Sequence, residues 1–366
     1  MNTVILCAVV VTVLGVAIVF LGLMRVGGKR NEHPQRSRRN KVLAIVGIIL
    51  FASVFASALG MAGRAWLLYQ FDNFRGSEAK GDAAWSPDGK RIAFVSRYEG
   101  EDNIYVMNTD GSNVTQLTSD PFRYYYIFRD PTDTDPAWSP DGKQIAFVSG
   151  RSGSLLNWQA LNIYVMDANG SNVVRLTGRS KNSLPSLGYY YTHPAWSPDG
   201  KKIAFGYGEA IYVMNADGTS PVKITDVYQF YPSEISPSWS PDGKYITFME
   251  DGANGSDIYI IRTDGSGRRQ LTRNFSVSTD PAWSPDGKKI IFAGRARYCA
   301  DCNLYIYVTN LAGAYPVKLA EYPSENFQYK GHITWSPNGD QVALSYAAIY
   351  IMNADGSDLK YLTGIR

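Results

Sequence analysis

Neither a Gly-x-Ser-x-Gly elbow nor a glycine-rich phosphate loop occurs in this chain of 366 residues. The first absence removes the strained serine nucleophile of α/β-hydrolases. The second removes the backbone cradle that holds transferable phosphates. An excess of basic charge is also missing from most of the chain. Residues 1–63 carry seven Lys/Arg against one acid, Glu32, while the remainder holds 29 bases and 32 acids. The large C-terminal part is therefore mildly acidic, which argues against nucleic-acid binding. Cysteine is scarce, with only Cys7, Cys299 and Cys302.

Long apolar runs are present, but only at the start. Val4–Met24 and Val42–Gly63 contain no charged residue. Each is long enough to cross a bilayer core of about 30 Å as a helix. The segment between them, Arg25–Lys41, holds all seven of the early positive charges. Short Lys/Arg-rich loops stay cytoplasmic. The expectation is a transmembrane hairpin (4–24 and 42–63), a linker (64–80), and everything beyond it outside the cytoplasm at the cell membrane. A second reading treats the second apolar segment, with the basic residues before it, as a signal peptide cleaved after Ala58, because Ala56-Ser57-Ala58 fits a small-x-small site. Both readings export the large domain. Cys7 is then an apolar filler in the first span.

The rest of the chain repeats itself. Trp-Ser-Pro-[Asp/Asn]-Gly begins at Trp85, Trp138, Trp196, Trp239, Trp283 and Trp335, with spacings of 53, 58, 43, 44 and 52 residues. A period near 43 with strand-like content marks propeller blades. Each unit parses into four strands: the stretch ending at the Trp, a run such as Gln144–Ser149, a run such as Asn162–Asp167, and a short piece ending in Leu-Thr. Pro and Gly in Ser139-Pro140-Asp141-Gly142 suit a tight turn between the first two. Strands two and three are apolar on both faces, as in Ile145-Ala146-Phe147-Val148. That suits a sheet wedged between two neighbours rather than one with a wet face. The expected fold is an all-β, six-bladed propeller over residues 81–366, with repeats near 81–118, 133–177, 192–225, 236–272, 279–320 and 332–363. Every blade supplies its own four strands, so closure needs no exchanged strand. Trp66–Phe71 is either an added edge strand or a membrane-exit anchor.

The meander sorts the loops. One-to-two and three-to-four turns are short and nearly identical between blades. Insertions fall in the two-to-three and inter-blade loops, all on the opposite face, and variable loops on a rigid scaffold commonly carry function. These loops hold Tyr124, Tyr125, Tyr126, Tyr189, Tyr190, Tyr191, Tyr228, Phe230, Tyr231 and Trp158. Tyr brings rigid area with a hydroxyl, a composition favoured in recognition surfaces. The competing reading is that several of them pack the loops onto the rim.

Three residues before each Trp stand Asp82, Asp135, His193, Ser236, Asp280 and His332. They begin the inner strands and so should ring the mouth of the central channel on the variable face, with the two histidines in opposed blades. Such a ring can bind a metal or polar ligand, or it can hydrogen-bond local backbone. The Asp-Gly turns, such as Asn353–Ser357, resemble the start of a calcium loop but lack its downstream Glu, so they read as hairpin turns. Cys299-Ala300-Asp301-Cys302 reads as a local disulfide in a loop outside the cytoplasm. No catalytic residue, cofactor or metal is assigned.

The six Trp turns, together with ends such as Ile211–Thr219 and Ile349–Thr363, resemble the TolB-like, WD40-like propeller repeats over about residues 81–363. Blade five departs with Leu311-Ala312-Gly313, and blade six with Asn338. The resemblance implies the propeller fold and a choice of roles. The leading expectation is a membrane-tethered module that binds an envelope or extracellular protein, peptide or glycan through its tyrosine-rich face. The alternative is a metal-dependent lyase or hydrolase on acidic oligosaccharides. It would use Asp82, Asp135, His193, Asp280 and His332 as ligands, and Arg123, Arg129 or Arg179 to hold carboxylates.

Overall fold

The computed structural model describes residues 80–362 apart from 99–100, 120–131, 152–160, 179–190, 209, 227–234, 253–254, 298–302, 314–315, 323–331 and 346–347. The expected membrane spans, the linker as far as residue 79 and Trp66–Phe71 lie outside the described residues, and Lys80 already belongs to the first strand. No described helix is long and apolar enough to cross a membrane.

Six four-stranded antiparallel sheets follow one another, each in simple sequence order. Blade one consists of Lys80–Trp85, Arg91–Tyr98, Glu101–Asn108 and Thr115–Gln116. The other innermost strands are Asp133–Trp138, Tyr191–Trp196, Ser238–Trp239, Phe275–Trp283 and His332–Trp335.

Burial on both faces has one repeated cause. On strand two successive residues alternate between the preceding blade and the next. Ile92 and Phe94 pack with Ala343, Ile349 and Ile351 of blade six. Ala93, between them, faces Trp138, Ile145 and Phe147 of blade two. Each of six hydrophobic clusters joins one pair of neighbouring blades in this way. Phe94, Phe147, Phe205, Phe248 and Phe292 are fully buried. Full burial of one such ring is worth roughly 2–3 kcal/mol. Each stacks on the Tyr directly across in strand three, with centroids 5.6–5.9 Å apart.

The repeated turn motifs are inter-blade contacts as well as turns. In blade one the Ser86 hydroxyl donates to Asp88 Oδ1 (2.6 Å) and accepts from the Arg91 N–H (2.9 Å). Its proline lies over the next blade's turn: Pro87 Cδ is 3.7 Å from where a Cβ of Gly142 would sit, and the series closes with Pro337 over Gly89 at 3.8 Å. The Asp-Gly turn between strands three and four fits beneath the Leu-Thr segment of the previous blade. At Gly218 (φ +86°) an added Cβ would lie 2.7 Å from the Leu176 carbonyl oxygen. Blade five, despite Leu311-Ala312, keeps a glycine, Gly313, at that contact. The threonine of the Leu-Thr pair ends the strand rather than extending it. Blade two's last strand stops at Arg175, and Thr177 Oγ1 accepts from the Ile163 N–H at 3.0 Å.

Blade six shows a coupled departure. Lys follows the Asp-Gly turn at positions 90, 143, 201, 244 and 288, whereas blade six has Asp340. Its turn Asp is replaced by Asn338, whose amide donates to Asp340 Oδ2 at 2.8 Å. A carboxylate at 338 would face a like charge.

Among the described residues no strand is shared between the first and last blades, whose sheets are separate. Closure rests on the packing of blade one with blade six and on Ser345. The Ser345 hydroxyl accepts from the Ala83 N–H (3.0 Å) and the His332 N–H (3.2 Å). His332 Nδ1 donates to the Ala83 carbonyl (3.1 Å).

Candidate functional site

The channel begins among the six residues that precede the tryptophans. Asp82, Asp135, His193 and Asp280 do not start their strands, as the sequence reading had it, but sit inside them at bulges. Their φ values are +52°, +54°, +45° and +54°, and the register against strand two slips at each. Asp and His tolerate this left-handed conformation better than most residues. The side chains of Asp82 and Asp135 reach the next blade, and those of His193 and Asp280 meet groups of the preceding one. Ser236 precedes a two-residue strand, and His332 lies in a regular one.

Part of the ring's role is to fasten neighbours. The Asp135 N–H donates to Asp82 Oδ2 (3.3 Å), and the His193 N–H to Asp135 Oδ2 (3.2 Å). Ser236 Oγ donates to Asp280 Oδ1 (3.2 Å). With His332 bonded to Ala83, four of the six blade junctions are tied at this level. These bonds run between blades rather than to the local backbone.

The ring also encloses space. A cavity of about 290 Å³ follows the axis, bordered by Asp82, Asp135, His193, Ser236 and His332 at one end. Its walls continue as alanine, proline and tryptophan. Among the described lining residues none is Lys or Arg, so its field is that of carboxylates. The two histidines of opposed blades approach each other: their ring centroids are 6.2 Å apart at an interplanar angle of 30°. His193 Nε2 lies 3.4 Å from Asp135 Oδ1. Because a carbonyl only accepts, the bond to Ala83 puts the hydrogen of neutral His332 on Nδ1 and the lone pair on Nε2. No group of three His, Cys, Asp or Glu suited to hold a metal ion occurs among the described residues.

The loop candidates lie elsewhere. Tyr124, Tyr125, Tyr126, Trp158, Tyr189, Tyr190, Tyr228, Phe230 and Tyr231 fall outside the described residues, as do Cys299, Cys302, Arg123, Arg129 and Arg179. For Tyr191 only the backbone, opposite Tyr207, is described. The described strand ends that flank these segments stand on the face of the Asp/His mouth.

Two charged groups at that face were not singled out from the sequence. Arg151, stacked on Phe147 and Tyr164, pairs with buried Asp133 at 2.6 Å. Asp257 accepts from Thr272 Oγ1 and Gln270 Nε2, both at 2.9 Å. Burial pushes its carboxyl above the usual range, opposed by those two hydrogen bonds and by Arg297 and Arg273. Asn103 and Asn162 hold the equivalent place in blades one and two. That break in the repeat was the signal available in the sequence.

Fold and mouth together define a closed, four-strand-per-blade β-propeller with one repeated face and one variable face. The chain belongs to the TolB β-propeller family, whose domain model matches residues 69–206 and 192–310. Among curated relatives, the uncharacterized peptidase YuxL of Bacillus subtilis is 31% identical over 140 residues, covering 36% of this chain and 18% of that protein. Protein Atu1656 of Agrobacterium fabrum is 31% identical over 121 residues, a third of each chain. The matches thus span about a fifth to a third of these relatives. Among solved structures, a protein assigned as TolB from Agrobacterium tumefaciens superposes with a TM-score of 0.56 at 22% identity, covering 74% of this chain and 90% of that one. An oligogalacturonate lyase of Vibrio parahaemolyticus superposes at 0.51 with 14% identity, covering 79% and 78%. At these identities the likeness is one of fold.

Proposed function

We propose that this protein is a binding module held at the cell membrane by its two apolar N-terminal segments, with the propeller outside the cytoplasm. It recognises a protein, peptide or glycan on its variable face. The observation that carries this reading is the asymmetry of the ring. One face repeats the same turns, each locked under its neighbour. The other presents the strand ends between which the sequence carries every long insertion, with its tyrosines, and an acidic, histidine-bearing mouth. A rigid frame under variable aromatic loops is the arrangement of a recognition surface.

The test has two parts. The full chain is screened against peptide and glycan arrays, and then with Tyr124, Tyr125 and Tyr126 replaced by Ser. The reading expects a ligand whose binding falls at least tenfold in the variant while the melting temperature holds. Ligands bound equally by the variant, or no ligand at all, would overturn it. Membrane placement is checked by protease protection in sealed vesicles. Cleavage of the propeller from the cytoplasmic side would refute it.

A further inference from the structure

Asn-x-Ser/Thr, with x other than proline, occurs at Asn113, Asn169, Asn254 and Asn274. In an exported chain this triplet is the acceptor for a glycan on the asparagine amide. The four are not equivalent in the fold. Asn254 lies outside the described residues. At Asn274 the middle residue, Phe275, is a buried core ring, and the Ser276 hydroxyl donates into the sheet, to the Arg295 carbonyl at 3.3 Å. At Asn113 the triplet runs into the outermost strand of blade one, which Thr115 begins. Asn169-Gly170-Ser171 lies wholly in a turn, between the strands Asn162–Asp167 and Val174–Arg175.

The repeat shows what is particular about that turn. Asp110, Asp217, Asp264 and Asp355 hold the same place in blades one, three, four and six. Each accepts the N–H of the Ser or Thr two residues on, at 2.8–2.9 Å. Blade two has Asn there and keeps the bond: Asn169 Oδ1 accepts from the Ser171 N–H at 3.0 Å and from its hydroxyl at 2.7 Å. A backbone N–H only donates, so the turn takes the amide oxygen and leaves Nδ2 as the outward end. Asparagine does nothing for this turn that aspartate does not. What it adds is an amide nitrogen on an exposed side chain. Asp167, two residues earlier, puts a carboxylate in the acceptor segment for a transferase to grip, and the other three triplets have no acid at that position.

We propose that Asn169 is a glycosylation site. Nδ2 gives up one proton and forms a bond to the anomeric carbon of an oligosaccharide carried on a polyprenyl diphosphate. The bond from that carbon to the diphosphate oxygen breaks, and the diphosphate leaves with the electron pair. A membrane transferase of the cell brings the lipid-linked donor and the base that takes the proton. The triplet is contiguous in the chain, so it is presented during export, before the blade folds. The exposed side chain then holds the sugar in solvent. The glycan stands on the repeated face, opposite the Asp/His mouth, and leaves the variable face clear. This goes beyond the binding reading and rests only on its placement of the propeller outside the cytoplasm.

The test is peptide mass spectrometry on the full chain isolated from the membranes of the cells that make it. Trypsin releases residues 152–175, in which Asn169 alone among the asparagines heads such a triplet. The expected result is a mass added in whole sugar units, located to Asn169 by fragmentation that keeps the side-chain bond. Asn169→Asp writes into blade two the residue of four other blades, so this variant should fold and lose the sugar. Ser171→Thr should keep the sugar and Ser171→Ala should lose it. A bare Asn169, its conversion to aspartate alone, or a mass gain that survives Asn169→Asp would overturn the inference. A bare Asn169 in a propeller that protease protection places outside removes the site and leaves export standing. A propeller on the cytoplasmic side removes both.

Discussion

Replacing Gly218 by Ala isolates the contact that makes one blade depend on the last. Two costs combine there. Gly218 has φ +86°, where an L-residue is strained by about 1–2 kcal/mol. The new Cβ would also stand 2.7 Å from the Leu176 carbonyl oxygen, backbone that cannot swing aside. Such overpacking adds about 1–3 kcal/mol. The expected loss is therefore about 2–5 kcal/mol. Gly142→Ala is the control. Its φ is +68°, but its nearest neighbour, Pro87 Cδ, is at an ordinary 3.7 Å, so only the conformational cost of about 1–2 kcal/mol remains. Urea unfolding followed by tryptophan fluorescence measures both. In a domain of this size each kcal/mol lowers the melting temperature by roughly 2 °C. Equal destabilisation of the two variants would refute the steric argument and leave the Asp-Gly turn as a hairpin device alone.

Three further variants test other features. Asn338→Asp should lower the melting temperature slightly, by a few tenths of a kcal/mol for this exposed pair, and more at low salt. Adding Asp340→Lys should restore it, and a neutral single variant would refute the proposed coupling. Asp257→Asn should stabilise at pH 7. A carboxyl whose folded pKa is raised by burial costs stability as pH climbs from its unfolded value through the folded one. The gain should therefore shrink as pH falls toward 4, and a pH-independent effect would exclude the electrostatic cause. Ser345→Ala strands the buried Ala83 N–H at the closing junction and should cost about 1–3 kcal/mol. Unchanged stability would show that apolar packing alone closes the ring.

The repeat was fully legible in the sequence because each blade solves the same local problem with the same residues. Six tryptophans set the count. Runs such as Ile-Ala-Phe-Val, apolar on both faces, required neighbours on both sides. The Asp/His/Ser ring was also legible, since a fixed offset from Trp in a meander fixes radial position. The sequence reading placed these residues at strand starts, which holds for His332 and fails for Asp82, Asp135, His193 and Asp280 for a physical reason. A bulge is written in left-handed φ values, which Asp and His adopt without the glycine that would have announced it.

Tertiary structure alone decided the rest. Whether opposed histidines meet depends on channel width, the sum of six blade thicknesses, and no spacing along the chain encodes it. Closure was likewise invisible: Ser345 and Ala83 are 262 residues apart, and only ring geometry joins them. Sequence fixes what repeats, because repetition is local chemistry. Structure fixes what converges on the axis, because convergence belongs to the closed ring.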